Sequence, residues 1–311
     1  MLWFLAATVV IFLLISGGYT FFLACRRRKE NDWLDEKAML KTSYGRHFGN
    51  IVAGSEWINN HKAQDVWTVS KDGLRLHALW LPAEDPKGTV LLCHGYRSCY
   101  LVDFSLAFEM YHSLGLNLLV IDQRSHGKSE GKYITFGVLE SEDVRQWIDF
   151  HNETFGTQQM ILSGMSMGAS TVLFLADQKL PENVKGIIAD CGFTSPAEII
   201  GREFKKTVHL PAGPSLRVAD IFARLLAGFS IYEKDSRRSL AASRLPILMI
   251  HGKADHFVPC AMSQAAYAAC VSEKTLYLVE NASHGVSFLC DPCGYTTQIL
   301  NFFDQHLEGF R

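Results

Sequence analysis

The chain has 311 residues, of which 48% are apolar and 20% charged, and carries a formal net charge of −2. That length allows one large globular domain or two small ones, with room for a sizeable core. Near-equal numbers of acidic and basic residues argue against the basic surface that nucleic-acid binding needs, so no nucleic-acid partner is expected.

The first element is the run from Leu2 to Cys25, which has no charged side chain. As a helix at ~1.5 Å per residue it covers about 36 Å, enough to cross a ~30 Å hydrocarbon core with some tilt. A buried core helix is the alternative, but an N-terminal run of this length without charge favours a membrane segment. A cleaved signal peptide fits poorly, because no Lys or Arg precedes the run and the run is too long. Phe22-Leu23-Ala24-Cys25 matches a lipoprotein cleavage box only weakly. The basic cluster Arg26-Arg27-Arg28-Lys29 lies on the C-terminal flank, which the positive-inside rule keeps in the cytoplasm. Residues 1–29 are thus expected to be a single-pass anchor in the cell membrane, holding a cytoplasmic body.

Residues 30–64 read as a polar helical linker with Trp33, Leu34 and Trp57 as docking points. From residue 65 to 311 the pattern changes. Val66–Val69 and Leu74–Leu81 read as paired strands joined at Lys71-Asp72-Gly73. Short apolar runs then alternate with helix-length segments. Strands are expected at Thr89–Cys93, Leu116–Ile121, Gln159–Leu162, Val184–Ala189, Ile247–Ile250 and Thr275–Val279. Helices are expected near 100–113, 137–154, 166–178, 259–270 and 294–307. Apolar strands separated by helices imply an α/β fold, with a mostly parallel sheet covered on both faces. One interval, about 193–244, has no strand where most connections are a few residues long. Its residues Leu216, Ala219, Ile221, Phe222, Leu225, Leu226 and Phe229 approximate one apolar helical face, which predicts a small helical cap over the strand ends. An ordinary packed helix pair would give a similar pattern.

In open parallel sheets, ligands bind beyond the carboxyl ends of the strands. Four unusual stretches fall there. Gly164-Met165-Ser166-Met167-Gly168 follows a strand and precedes a helix, which is the setting of a nucleophile elbow. The flanking Gly164 and Gly168 are small because the turn brings backbone segments together. Ser163 and Ser170 lack that placement and are expected to be structural. His94-Gly95-Tyr96 follows a second strand, so the Tyr96 and Met167 backbone N–H groups could together face a developing oxyanion. Asp255, in His251-Gly252-Lys253-Ala254-Asp255-His256, and His284, in Ala282-Ser283-His284-Gly285, follow two further strands. A neutral serine needs a base, and the base an orienting carboxylate. His94, His251 and His256 are rivals as base, and Asp190 is a rival acid; their connections suit the roles less well. Asp255 could alternatively cap the helix near Pro259.

The chain order Ser166, Asp255, His284 resembles that of the α/β-hydrolase superfamily over about Asp65–Leu307. Asp122-Gln123-Arg124-Ser125-His126-Gly127-Lys128-Ser129-Glu130-Gly131 is similar to a loop of that family, with Ser125 where Gly is commoner. The closer likeness is to bacterial hydrolases described as serine-aminopeptidase-like or acyl-transfer-like, often with an N-terminal membrane segment. The resemblance implies an α/β-hydrolase fold and an acyl-enzyme on Ser166, without cofactor or metal.

The expected function is hydrolysis of a small carboxylic ester with an apolar acyl group. Phe204, Leu216, Phe222 and Leu225 of the insertion are the candidate pocket residues. A peptidase or acyl-transferase acting on an amide or ester through the same residues is the alternative, and a catalytically idle interaction module the third. If residues 1–29 merely tether, their removal should leave a soluble, active enzyme. The only C-x-x-C, Cys290 to Cys293, has no second ligand pair, and reads as loop cysteines before a helix rather than a zinc or redox site.

Overall fold

Eight strands build one sheet: β1 Gln64–Val69, β2 Arg75–Leu81, β3 Gly88–Cys93, β4 Leu116–Ile121, β5 Met160–Met165, β6 Val184–Asp190, β7 Ile247–Gly252 and β8 Lys274–Val279. They come from a computed structural model that describes residues 2–29, 33–41, 45–61 and 63–310. Linker positions 30–32, 42–44 and 62 lie outside the described residues. The strand order is β1-β2-β4-β3-β5-β6-β7-β8. β2 pairs antiparallel with both β1 and β4, and every later pair is parallel.

The central strands are buried at every position, because parallel strands carry helices on both faces. Alternation along β3 divides the core in two. Val90 and Leu92 join Phe108, Tyr111 and Phe303 on one side, whereas Leu91 and Cys93 join Val144, Trp147 and Val172 on the other. From β3 the chain passes to β4 on one side, then to β5 on the other. The loops leaving β3 and β5 therefore open a crevice between them, the usual ligand position in such sheets.

The loop after β4 is held by buried charge. Arg124 grips both oxygens of Asp143 at 2.6 and 2.7 Å and reaches Asp72 at 2.9 Å. Asp122 accepts from the Lys128 amide at 2.9 Å and lies 2.7 Å from His77 Nδ1. Ser125 adopts a φ of 64°, where glycine would fit more easily, and its hydroxyl is tied to the Tyr133 carbonyl at 2.8 Å. Arg124→Met would leave Asp143 buried without its cation, so it is expected to destabilise the fold by about 3–5 kcal/mol. Thermal or denaturant unfolding in detergent checks this. The double change Arg124→Met/Asp143→Leu should recover much of the loss.

Ahead of the sheet, the helix Phe48–Asn60 packs on the helix Tyr100–Ser113. Trp57 stacks on His61 with ring centroids 3.8 Å apart, and Trp33 packs against the cluster containing Ile51 and Val102. Leu34 remains about half exposed. Between β6 and β7 the chain forms two helices, Pro196–Val208 and Gly213–Ala227, and a short one, Ser236–Leu240.

The single apolar face expected on the cap divides in the structure. Leu216, Ala219 and Ala223 are buried, whereas Ile221 is 53% and Leu225 77% exposed. The reason is a second neighbour: the helix Leu2–Cys25 lies along Gly213–Ala227. A side chain at Gly17 would meet Val218 at 2.5 Å, so glycine permits the close approach. Ser16 Oγ and Ser215 Oγ are 2.8 Å apart, and Phe222 stacks against Phe21. The end of the N-terminal helix is thereby built into the domain, while its earlier turns project, with Trp3 89% exposed.

Candidate active site

Ser166 sits between β5 and the helix Met167–Leu173 with φ 55° and ψ −113°, a strained backbone for any residue but glycine. The strain is held by close backbone contacts. A Cβ at Gly168 would lie 1.9 Å from the Cys93 carbonyl oxygen, and one at Gly164 would lie 2.2 Å from the Gly168 oxygen. The Ser166 amide donates to the Asp190 carbonyl at 2.8 Å. Gly168→Ala is therefore expected to prevent the elbow from closing, giving protein that is insoluble or fails to label with a fluorophosphonate. Purification followed by labelling checks it.

Two further strand ends converge on this serine. His284, after β8, places Nε2 2.8 Å from Ser166 Oγ. Its Nδ1 lies 2.6 Å from Asp255 Oδ2, in the loop after β7. The other Asp255 oxygen accepts the Phe257 and Val258 amides, each at 2.9 Å, and His251 Nε2 stands 3.2 Å from Oδ2. Burial alone would raise the Asp255 pKa, but hydrogen bonds from His251 and His284 outweigh it. They hold this carboxyl well below the ordinary carboxylate range. Phe257 packs edge-on against the His284 ring, with centroids 5.0 Å apart.

The rivals stand elsewhere. His94 is fully buried, with Nδ1 2.8 Å from the Gly95 carbonyl and Nε2 accepting the Gln123 amide at 3.1 Å. His251 lies behind Asp255, bonded to Ser263 Oγ and the Val258 carbonyl. His256 is exposed, and Asp190 faces Ser287 Oγ at 3.3 Å, its carboxyl pushed up to about 6 by burial. Ser170 exchanges hydrogen bonds with the Phe193 backbone, and Ser163 is buried within β5.

Neither the Tyr96 nor the Met167 backbone N–H donates to a group among the described residues. The Tyr96 loop is braced from below. Asp103 accepts the Gly95 amide at 2.6 Å, and His126 Nε2 accepts the Arg97 amide at 3.0 Å. Burial lowers the His126 pKa, which keeps the ring neutral and able to accept. Asp103 had no sequence signal beyond its polarity; His126 lay in the Asp122–Gly131 segment, but its contact to Arg97 joins two loops that the sequence does not relate.

A cavity of about 220 Å³ adjoins Ser166. Phe204, Ile199 and Ile200 of the cap line one side, and Phe136, Phe193 and Phe257 line others. Of the four insertion residues expected to line a pocket, only Phe204 does so. Leu216 is buried behind the cap helix, against the Gly201 position, and Phe222 contacts the N-terminal helix. Leu225 points away, because it lies on the face of its helix opposite the domain. The wall that sequence reasoning missed is Tyr19, Thr20, Leu23 and Ala24 of the N-terminal helix.

Donor atoms of Cys191, Asp255 and His284 lie within 4.8 Å of one another. Burial raises the Cys191 thiol well above its usual pKa, and the Asp255 and His284 atoms of this group already face each other at 2.6 Å. Cys290 and Cys293 are exposed at the start of the helix Pro292–His306.

A mostly parallel sheet, a serine on a strand-to-helix elbow, and an acid and a histidine on later strand ends define an α/β hydrolase. The chain has the α/β-hydrolase fold, and its sequence is similar to members of that superfamily. Residues 84–235 match the family model described as serine aminopeptidase, S33. The chain is 29% identical over 221 residues to the uncharacterized protein YqkD of Bacillus subtilis, covering 71% of this chain and 72% of that protein. It is 24% identical over 243 residues to a monoacylglycerol lipase of Mycolicibacterium smegmatis, covering 65% of this chain and 82% of the lipase. The esterase Pf2001 of Pyrococcus furiosus shares its fold with a TM-score of 0.65 at 21% identity, over 80% of this chain and 92% of that one.

Proposed function

We propose that this hydrolase is a serine esterase that cleaves a carboxylic ester with an apolar acyl group. The observation that carries the reading is the continuous hydrogen-bonded line Asp255–His284–Ser166 at the floor of an apolar cavity. Ser166 Oγ attacks the ester carbonyl while His284 Nε2 takes its proton. The Tyr96 and Met167 amides hold the oxyanion, each such donor lowering the barrier by about 3–4 kcal/mol. His284 returns the proton to the departing alcohol. Water, activated by the same ring, then releases the acid from the acyl-enzyme. Asp255 holds Nδ1 protonated and stabilises the imidazolium.

The helix Leu2–Cys25 includes a stretch, Ala7–Cys25, long and apolar enough to cross a membrane. In this proposal residues 1–29 are a single-pass anchor, 30–64 a linker, and 65–311 the cytoplasmic hydrolase domain with its insertion at about 193–244. The peptidase reading draws on the description of the matched family model. Against it, Glu203 is the only acidic residue lining the cavity among the described residues, and it is paired with Lys206 at 2.7 Å. The test is turnover of p-nitrophenyl esters beside aminoacyl p-nitroanilides, per fluorophosphonate-titrated site. Faster ester cleavage is expected. Faster amide cleavage would establish the peptidase, acyl transfer to an added alcohol the transferase, and absence of both turnover and labelling the idle fold.

A further inference from the structure

The last turns of the N-terminal helix end inside the catalytic apparatus. Helix C-termini leave carbonyls without partners, and here the loop carrying Tyr96 supplies them. Tyr96 Oη donates to the Ala24 carbonyl at 2.7 Å, and Arg97 Nη2 donates to the Leu23 and Arg26 carbonyls at 2.7 and 3.1 Å. The chain beyond is pinned as well: the Ile134 amide donates to the Cys25 carbonyl at 2.6 Å, and Arg27 bonds to the Gly127 and Ser129 carbonyls. Four side chains from this helix then line the cavity beside Ser166.

Docking of Ser16 to Cys25 shortens what can project. Leu2 to Ile15 spans about 21 Å at ~1.5 Å per residue. A hydrocarbon core is ~30 Å thick, so this segment alone falls short by about 9 Å. Surface-lying amphipathic helices sink roughly 5–10 Å into a bilayer, which is the missing distance. The cap offers the required surface next to the helix: Ile221, Leu225 and Leu226 on Gly213–Ala227, with Leu210 just before it, are all exposed apolar side chains. Phe22 extends this surface along the N-terminal helix.

We propose that the cap and the docked end of the N-terminal helix sit in the bilayer surface, and that the cavity between them receives the acyl chain of a membrane-dissolved ester. The proposal rests on the esterase reading. Tyr19, Thr20, Leu23 and Ala24 form the wall along which the hydrocarbon chain lies, so the segment that anchors the enzyme also sets its acyl selectivity. The lining is mostly apolar, with Thr20, Arg97, Glu203 and Thr207 among its polar side chains. Removing residues 1–29 would strip one wall of the pocket and the partners of the Tyr96 loop, so the truncated chain is not expected to behave as a soluble copy of the full enzyme.

The experiment uses full-length protein in phosphatidylcholine vesicles, with p-nitrophenyl acetate and p-nitrophenyl decanoate as probes. Ala24→Phe fills the helix side of the cavity, and should lower the decanoate-to-acetate ratio of kcat/KM by about tenfold or more. Fluorophosphonate labelling shows whether its site is assembled, and Leu23→Phe serves if it is not. Ile221→Asp, outside the cavity, should lower decanoate turnover from vesicles about tenfold, since a charge at this depth opposes immersion, and leave acetate turnover unchanged. An unchanged ratio in the filling variants, or equal effects of Ile221→Asp on both esters, would overturn the proposal. Wild-type protein that neither labels nor cleaves acetate would instead sink the esterase reading itself.

Discussion

Replacing Ser166 with alanine is expected to lower kcat by roughly 10⁴–10⁶-fold while leaving the melting temperature nearly unchanged. The change removes one oxygen, and with it the atom proposed to attack and the 2.8 Å contact to His284. Alanine accepts the backbone conformation at φ 55° no better and no worse than serine, so the elbow should persist. Whatever rate remains comes from the unpaired amides and the apolar cavity acting on water-mediated attack. Steady-state kinetics, with fluorophosphonate labelling as a second readout, test the assignment. A variant that kept more than about a hundredth of the wild-type rate would remove Ser166 from the mechanism, because groups acting as one unit fail together.

Asp255→Asn is expected to cost about 10⁴-fold in kcat and some stability as well. The carboxylate accepts from four directions: two backbone amides on one oxygen, and His284 and His251 on the other. An asparagine offers a single acceptor oxygen, so either two amides or two histidines must face its NH₂ group. If His284 faces that group, the ring is held in the tautomer that cannot take the serine proton.

The pH dependence has a definite sign. The folded pKa of Asp255 is depressed below the unfolded value of about 3.9, so its ionised form stabilises the protein above that pH. That contribution is lost as pH falls from the unfolded value through the folded one. Melting curves of wild type and Asp255→Asn should therefore be furthest apart near neutrality and draw together in acid. A gap that widened below pH ~4 would contradict the assignment.

Much of the sheet was legible because its chemistry is local. β3, β4 and β7 are apolar runs closed by glycine or polar residues, and fully buried parallel strands have that appearance. Gly164 and Gly168 were legible as spacing, and the structure adds which atoms they avoid: the Gly168 and Cys93 carbonyl oxygens. The expected pocket positions Leu216, Phe222 and Leu225 do not line the cavity. Helical periodicity reports that a residue is apolar and on a given face, but not which neighbour covers that face. Gly213–Ala227 has the domain on one side and another helix on the next, so its apolar residues fall into separate sets.

The same distinction governs the whole chain. Residue types and their order along the sequence were sufficient for the class of fold, for nominating Ser166, Asp255 and His284, whose side chains the fold brings into contact, and for an N-terminal helix long enough for a bilayer. Local pattern determines these, because burial by lipid, sheet or helix selects residues within one or two turns. Only the tertiary structure decided that Ala24 meets Tyr96, that Thr20 and Leu23 line the cavity, and that His126 and Asp103 brace the loop. Those contacts join segments far apart in the chain. An apolar side chain that faces lipid and one that faces a substrate pocket obey the same transfer free energy, so hydropathy alone cannot tell them apart.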